Sequence, residues 1–363
     1  MFKKNKYYDI KNILNKNSVY NVIIGERSNG KTYSTLKYAI EHYFKTGGQL
    51  AILRRWREDI IGRRASDIFS ALNANDEIYK LSKGQFQGIC YYSSKFYFCT
   101  YDDNGKPIYN DNDIFAYSFA LSENEHNKSI SYPKIQTIIF DEFLTNKLYL
   151  NDEFVLFMNT ISTIVRQRTD VKIFMLGNTV NRFSPYFQEM GLNHILKQEQ
   201  GTIDIYTYGD SNLTVAVEYC KSLKSSKENN FYFAFDNPKL HMITGGAWEI
   251  GIYPHLPTKY TNKHIIFTYF IIYESVIYQC EVIQKDELNF TYIHLKTTPI
   301  KNDSKDLIYT FDYIPKLNYN RNIYKPINKL QERLLWYYKT DRVFYQNNEV
   351  GNAINNYLKI CKG

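Results

Sequence analysis

What the chain lacks narrows its class first. Its 363 residues hold only five cysteines (Cys90, Cys99, Cys220, Cys280, Cys361), scattered, odd in number and without CxxC or Cys/His spacing. That argues against structural zinc and against a disulfide framework, and the expectation is reduced, mostly buried thiols in a cytoplasmic protein. The first residues, Met-Phe-Lys-Lys-Asn-Lys, lack the apolar stretch of a secretory signal. No uncharged apolar run approaches the roughly 18 residues of a membrane span, so no membrane partner is expected. The longest apolar stretch, His264 to Tyr273, is β-branched and aromatic and reads as a strand. No internal repeat and no long low-complexity segment is visible.

What is present fits a globular protein of about two domains. Hydrophobic residues make up 44%, enough for sizeable cores. The 34 Tyr and 23 Phe accompany abundant Lys, Asn and Ile, a bias expected of an AT-rich coding sequence, so they say little about base stacking. The net charge of +8 is unevenly spread: from Ile314 to Gly363, nine basic residues face three acids, leaving +6 in the tail. A local basic excess points to a polyanionic partner. A solvated helical surface is the plainer alternative. Lys325, Lys329 and Arg333 are the candidate contacts there.

Periodicity places strands at Val22–Gly25, Gln49–Arg54, Cys90–Ser93, Phe96–Tyr101, Ile114–Leu121, Gln136–Asp141 and Lys172–Leu176, and a hairpin at Pro107–Tyr109. Helical patterns run from Lys31 to about Phe44 and from Glu153 to Arg166. The strand–loop–helix–strand order at the start implies a parallel sheet. After about Tyr208 the character changes. Residues 208–230 read as a linker, and alternating runs at Phe231–Phe235, His264–Tyr273, Val276–Ile283 and Phe290–Leu295 read as antiparallel strands, followed by a helix over Leu330–Tyr338. The reading is an α/β unit over 1–207 and a smaller α+β unit over 231–363.

Two motifs carry chemistry. Gly25-Glu26-Arg27-Ser28-Asn29-Gly30-Lys31-Thr32 matches G-x-x-x-x-G-K-[ST] between a strand and a helix, the context a phosphate-binding loop requires. Its N–H groups and the helix N-terminus suit the phosphates of ATP. Lys31 would reach the β- and γ-phosphates and Thr32 would hold Mg²⁺. Ile138-Ile139-Phe140-Asp141-Glu142 is an apolar strand ending in two acids. Asp141 suits Mg²⁺ and Glu142 suits a general base on the attacking water. Asn178 ends the following strand and can sense the γ-phosphate, or simply form a turn. Arg166, closing a helix, suits an arginine finger or complements the helix dipole. Arg54 and Arg57, in Arg54-Arg55-Trp56-Arg57, suit a phosphate backbone or a solvated surface. The strand Leu50–Arg54 lies between the two motifs. With the adjacent glutamate it suggests the additional-strand, catalytic-glutamate branch of P-loop proteins.

The blocks Gly25–Thr32 with Arg27 at its third position, Leu53–Arg57, Ile139–Phe143, Val165–Arg168 and Asn178…Pro185–Phe187 together resemble the DNA-packaging ATPases of phi-29-type phages. The likeness covers about residues 20 to 190. It implies ATP hydrolysis with Mg²⁺, driving double-stranded DNA into a procapsid. The expected setting is the host cytoplasm, transiently at the portal vertex. It implies a homo-oligomeric ring, a pentamer, docked on the viral portal, with a structural packaging RNA as a possible further partner. It implies that Arg166 acts on a neighbouring subunit. Arg57 stands where the family has a lysine. The family's C-terminal domain resembles an RNase H-like nuclease without its metal-binding acids. Here Asp236, Glu274, Glu281, Asp286 and Asp312 form no paired pattern. Rival readings are another ring-shaped translocase or helicase, or a nucleotide-switched assembly protein with little turnover.

Overall fold

The computed structural model describes residues 7–123, 131–145, 149–150, 152–180, 184–195, 197–221, 253–273 and 275–362. The chain divides into two compact units, Met1–Glu249 and Ile250–Gly363.

The first unit is built on β1 (Tyr20–Gly25), β2 (Gln49–Arg54), β3 (Gly88–Tyr92), β4 (Lys95–Tyr101), β5 (Pro107–Ile108), β6 (Ile114–Ala120), β7 (Ile135–Asp141), β8 (Lys172–Asn178), β9 (Ile203–Tyr208) and β10 (Leu213–Tyr219). They form one sheet in the order β3-β4-β6-β2-β7-β8-β1-β10-β9, with β5 paired to β4. From β6 to β10 along this order the strands run parallel; β4 and β9 join antiparallel at the two sides. The near-continuous apolar runs of β1 and β7 suit a sheet covered on both faces. Val22, Ile24, Ile138 and Phe140 enter one core layer, while Ile23 and Ile139 enter the other.

The helices include α1 (Lys11–Leu14), α2 (Lys31–Thr46), three short ones over the outer sheet (α3, Gly62–Ser66; α4, Ser70–Ala74; α5, Glu77–Leu81), α6 (Glu153–Val165) and α7 (Pro185–Glu189). Helix α2 begins after Gly30 and stops at Gly47, both left-handed, and the Gly47 N–H closes onto the Tyr43 carbonyl. Its Leu36, Ala39 and Ile40 are buried against the sheet.

Two expectations are corrected here. A linker was expected from residue 208, yet β10 occupies 213–219 and pairs with β1 over Tyr20–Ile24. Val215, Ala216 and Val217 are at most 1% exposed. The boundary at 207 therefore cuts through the sheet. Local composition misled because the burial of β10 comes from a strand about 190 residues earlier. Second, the strand lying between β1 and β7 is β8; β2 lies on the far side of β7. The expected strand at Phe231–Phe235, and Asp236 and Glu274, lie outside the described residues.

The second unit has β11 (Ile265–Tyr273), β12 (Val276–Lys285), β13 (Leu288–Leu295), β14 (Ile308–Thr310), β15 (Tyr319–Asn320) and β16 (Val343–Tyr345), in the order β15-β14-β11-β12-β13-β16. β11, β12 and β13 form an antiparallel meander; β14 joins β11 parallel, β15 joins β14 parallel, and β16 joins β13 parallel. Helices α8 (Lys329–Lys339) and α9 (Asn348–Lys362) complete it. Among the described residues no helix is long and apolar enough to cross a membrane. The five cysteines are free thiols, Cys90 half-buried and the others buried.

The parallel pairing of β10 carries a prediction. Burying the side chains of Val215 and Val217 contributes about 3–6 kcal/mol to the first unit. A chain ending at Tyr208 should lose cooperative thermal unfolding, while one ending at Glu249 should keep it. Circular dichroism melts of the two truncations check this, and equal melting would remove β10 from the folding unit.

Candidate functional site

Because β1, β2, β7 and β8 run parallel, their last residues, Gly25, Arg54, Asp141 and Asn178, reach the same edge of the sheet. The carboxyl edge of a parallel sheet is where such folds bind ligands. A cleft of about 1040 Å³ opens there, lined by Arg27 to Tyr33, Arg54, Arg55, Asp141, Glu142 and Asn178 among others. That is the upper end of the roughly 300–1,000 Å³ range of ligand sites.

The loop from Gly25 to Thr32 bends tightly. Ser28 and Gly30 have φ of 59° and 94°, the left-handed region in which glycine is unstrained. Arg27 and Ser28 are exposed at the cleft, and Asn29 is buried. Lys31 is only 6% exposed; its Nζ donates to the Glu26 carbonyl at 2.7 Å, to Asn29 Oδ1 at 3.2 Å and to Asn178 Oδ1 at 3.3 Å. Burial lowers its pKa, while the charges of Cys220, Asp141 and Glu26 work the other way. Thr32 Oγ1 donates to Asp141 Oδ1 at 3.3 Å. The two motifs, more than a hundred residues apart in sequence, thus meet through this hydroxyl. Asn178, at the end of the strand between them, joins the same cluster.

Asp141 is buried, and burial raises its pKa although Arg54 and the Thr32 hydroxyl act against the rise. Glu142 carries φ of 60°, unusual for a side chain with a Cβ and costing about 1–2 kcal/mol. Its side chain is 64% exposed and faces the cleft.

Arg54 was expected at a nucleic-acid backbone; instead it is turned into this cleft. One Nη donates to Asp141 Oδ2 at 2.7 Å and the other lies 2.8 Å from Glu142 Oε2. The reason is positional. Arg54 closes β2, the neighbour of β7, so a long side chain there meets the two acids that close β7. Arg57 does stay on the surface, paired at 3.0 Å with Glu123.

Arg55 was not singled out from sequence. It is 7% exposed and makes a bidentate pair with Glu153 at 2.7 and 2.9 Å. It also donates to the Phe143 carbonyl at 2.6 Å and the Glu142 carbonyl at 3.3 Å. Burial works against its charge, but hydrogen bonding to Glu153 and the charge of that carboxylate raise its pKa overall. Only the adjacent arginines hinted at this, since a buried pair across 98 residues leaves no local trace.

Arg166 follows α6 directly, at φ 46° and ψ −136°; its N–H closes the helix on the Ser162 carbonyl, and it does not line the cleft of its own chain. Arg168 is structural: its guanidinium donates to the carbonyls of Pro133, Ile135 and Ile164 at 3.0, 2.7 and 3.3 Å.

In the second unit, Lys325, Lys329 and Arg333 are exposed. Asn328 caps α8 by accepting from the Gln331 N–H at 3.0 Å. Lys329, Arg333 and Trp336 then fall on one helix face by their spacing of four and three. Trp336 is 43% exposed, with the Arg342 guanidinium 4.8 Å from its ring.

Mg²⁺ prefers hard oxygen ligands and keeps several waters. The Thr32 hydroxyl and Asp141 carboxylate meet that demand, two oxygens converging at the cleft floor beside a lysine that suits phosphate.

Comparison with known proteins bears on the family and the fold. The DNA packaging protein of Bacillus phage phi29 is 25% identical over 189 residues, covering 51% of this chain and 50% of that protein. That of Bacillus phage B103 is 28% identical over 185 residues, covering 50% of each. The chain spans about half the length of these curated relatives. Among solved structures, the bacteriophage Phi-29 viral genome packaging motor assembly matches with a TM-score of 0.60 at 20% identity, over 98% of this chain and 100% of that one. The Phi-28 gp11 DNA packaging motor matches with a TM-score of 0.58 at 18% identity, over 99% of each. These two show a shared fold. The model of the Podovirus DNA encapsidation protein (Gp16) family matches residues 2–229, which takes in the whole cleft and every strand of the sheet beneath it, and the chain belongs to that family.

Proposed function

We propose that this chain is an ATP-hydrolysing motor that moves double-stranded DNA into a viral procapsid. The observation that carries the reading is the convergence of Lys31, Thr32, Asp141, Glu142 and Asn178 in one cleft at the carboxyl edge of the sheet. Membership of the encapsidation family supports the substrate and the setting at a portal vertex. β8 between β1 and β7, together with Glu142, supports the additional-strand, catalytic-glutamate class.

On this reading the triphosphate lies along the loop from Gly25 to Thr32, with Lys31 on its β- and γ-oxygens. Thr32 and Asp141 would hold Mg²⁺, which neutralises phosphate charge when bound. Glu142 orients a water in line with the γ-phosphorus and takes its proton; ADP and phosphate leave. Asn178, already 3.3 Å from Lys31, reports whether the γ-phosphate is present. Arg54, which holds Asp141 Oδ2 at 2.7 Å and lies 2.8 Å from Glu142 Oε2, would have to release Asp141 for that carboxylate to serve as a metal ligand, and would keep Glu142 oriented. Arg166 reaches the cleft of a neighbouring chain, consistent with its place outside its own. The motor acts as a homo-oligomeric ring, a pentamer on the family's pattern, with a packaging RNA as a further partner.

The second unit binds nucleic acid without cutting it. Its meander with parallel β14 and β15 supports the RNase H-like reading. Central β11, Ile265–Tyr273, carries no acid, and Glu281 is engaged by Tyr260 and Gln279 at 2.5 and 2.6 Å. The exposed Lys325, Lys329 and Arg333 supply attraction to phosphates.

The central experiment measures ATPase rate with and without double-stranded DNA and procapsids. DNA-stimulated turnover is expected; tight binding without turnover would favour an assembly switch, and duplex unwinding would favour a helicase. Glu142→Gln should bind ATP normally and lose about 10²–10⁴-fold in turnover. Lys31→Ala should lose triphosphate binding itself. Mixed rings of Arg166→Ala and Lys31→Ala chains should recover part of the activity; no recovery in rings proven mixed would favour a cis or purely structural role for Arg166.

Two further measurements separate the arginines. Arg54→Ala should change ATP turnover at least about tenfold yet leave the salt dependence of DNA binding untouched. Replacing Lys325, Lys329 and Arg333 together should flatten the log–log salt slope by about 2–3, since each phosphate contact contributes about 0.7–0.9. The opposite assignment of slopes would return Arg54 to the DNA interface.

A further inference from the structure

The cleft explains Arg54 but leaves a buried charge cluster behind it without a task. We propose that Arg55 and Glu153 form a positioning pair for Glu142, and that the pair fastens the turn bearing Glu142 to the first turn of α6. This rests on the reading of Glu142 as the residue that activates water.

The pair is fully engaged. Glu153 Oε2 accepts from Arg55 Nε at 2.7 Å and from the Leu150 N–H at 2.8 Å. Its Oε1 accepts from Arg55 at 2.9 Å and from the Tyr186 hydroxyl at 2.7 Å. The Arg55 guanidinium lies 4.9 Å from the Tyr149 ring. All four lone-pair directions of the carboxylate are thus used, as a buried charge requires. A pair that only filled the core would need nothing more. Arg55 also donates to the carbonyls of Glu142 and Phe143, the two peptide groups that follow β7.

Those two carbonyls matter because Glu142 is left-handed, at φ of 60°. Nothing in its own side chain favours that conformation, so the surroundings must impose it. Here the imposing group is a cation on the carbonyls just past the turn, with the Phe143 N–H fixed to the Leu176 carbonyl at 3.2 Å. Extended backbone at this point would swing the Glu142 side chain away from the cleft. Arg55 therefore acts through the main chain, and does not touch the reacting atoms.

Glu153 is the first residue of α6, and Arg166 follows the last. The same pair consequently links the Glu142 turn to the helix that presents Arg166. A displacement of either end is felt by the other through a bidentate ion pair, the least compliant of side-chain contacts.

The test uses the full chain with Glu153→Gln, Arg55→Lys and the milder Tyr186→Phe. Two readouts are taken: single-turnover ATP hydrolysis alongside nucleotide affinity, and amide hydrogen exchange across residues 142–145. The expected result is a kcat lower by up to about 10²-fold with affinity for ATP unchanged, as for a misplacement of about 1 Å. Exchange at 142–145 should quicken at least tenfold while β7 stays protected. Arg55→Lys should rescue less than a purely electrostatic role predicts, since lysine cannot hold two oxygens and two carbonyls in one plane. If Glu153→Gln fails to fold, Tyr186→Phe carries both readouts. Variants with wild-type kcat and wild-type exchange overturn the proposal, as does exchange that rises uniformly over the unit. The exchange arm does not depend on turnover. An inactive wild type with local loosening at 142–145 would sink the hydrolysis reading and leave the positioning role standing.

Discussion

Everything in the first unit depends on charge held at one edge of an apolar sheet. Both faces of β1, β2, β7 and β8 are covered, so charged side chains gather where these strands end. Asp141 ends β7 buried, with the exposed Glu142 directly after it, and a buried carboxylate left unpaired is costly. Arg54, closing β2, answers both carboxylates, and Lys31 from the phosphate loop adds its charge beside Asp141. On the motor reading, a phosphate and its metal would meet these charges with ones of opposite sign.

Arg54 closes β2 and Arg55 follows it directly, yet their guanidiniums are engaged by different groups. Arg54 faces the cleft and holds carboxylate side chains. Arg55 faces the layer containing α6 and α7 and holds backbone carbonyls. Exchanging the two by a one-residue slip of β2 would remove both functions at once, and pairing of β2 with β6 and β7 on its two sides forbids that slip.

How much of this was legible in the sequence follows from how local each signal is. The phosphate loop and the Asp141–Glu142 strand end are local patterns with local causes, and they stand where the sequence puts them. The strands that flank them agree to within a few residues, because parallel strands buried on both faces read as unbroken apolar runs. β10 was missed because seven residues of moderate apolarity acquire their burial from β1. The inserted strand was misassigned to β2 for a related reason: order along the chain does not give order across a sheet. Arg54 was given to DNA because an arginine cluster looks solvated until its neighbours are known, and only the adjacency of β2 and β7 reveals the acids. Glu153, and the contact Tyr186 makes with it, carry no signal in one sequence. Glu153 is an ordinary helix residue until Arg55 is placed beside it.

The position of α6 then gives the fold a mechanical consequence. Thirteen residues at about 1.5 Å each make a rod of roughly 20 Å. Its first residue is fixed, through Arg55, to the peptide groups beside Glu142. Its last turn is fixed at Arg168, whose guanidinium grips the carbonyls of Ile135 and Ile164, so the rod is held at both ends to β7 or the turn that follows it. Arg166 sits between these anchors and the surface, on a backbone bent out of helical geometry, and is exposed. The two anchors hold the origin of Arg166 in register with the turn that bears Glu142, so any displacement at one end of α6 is carried to the other by the same rigid helix.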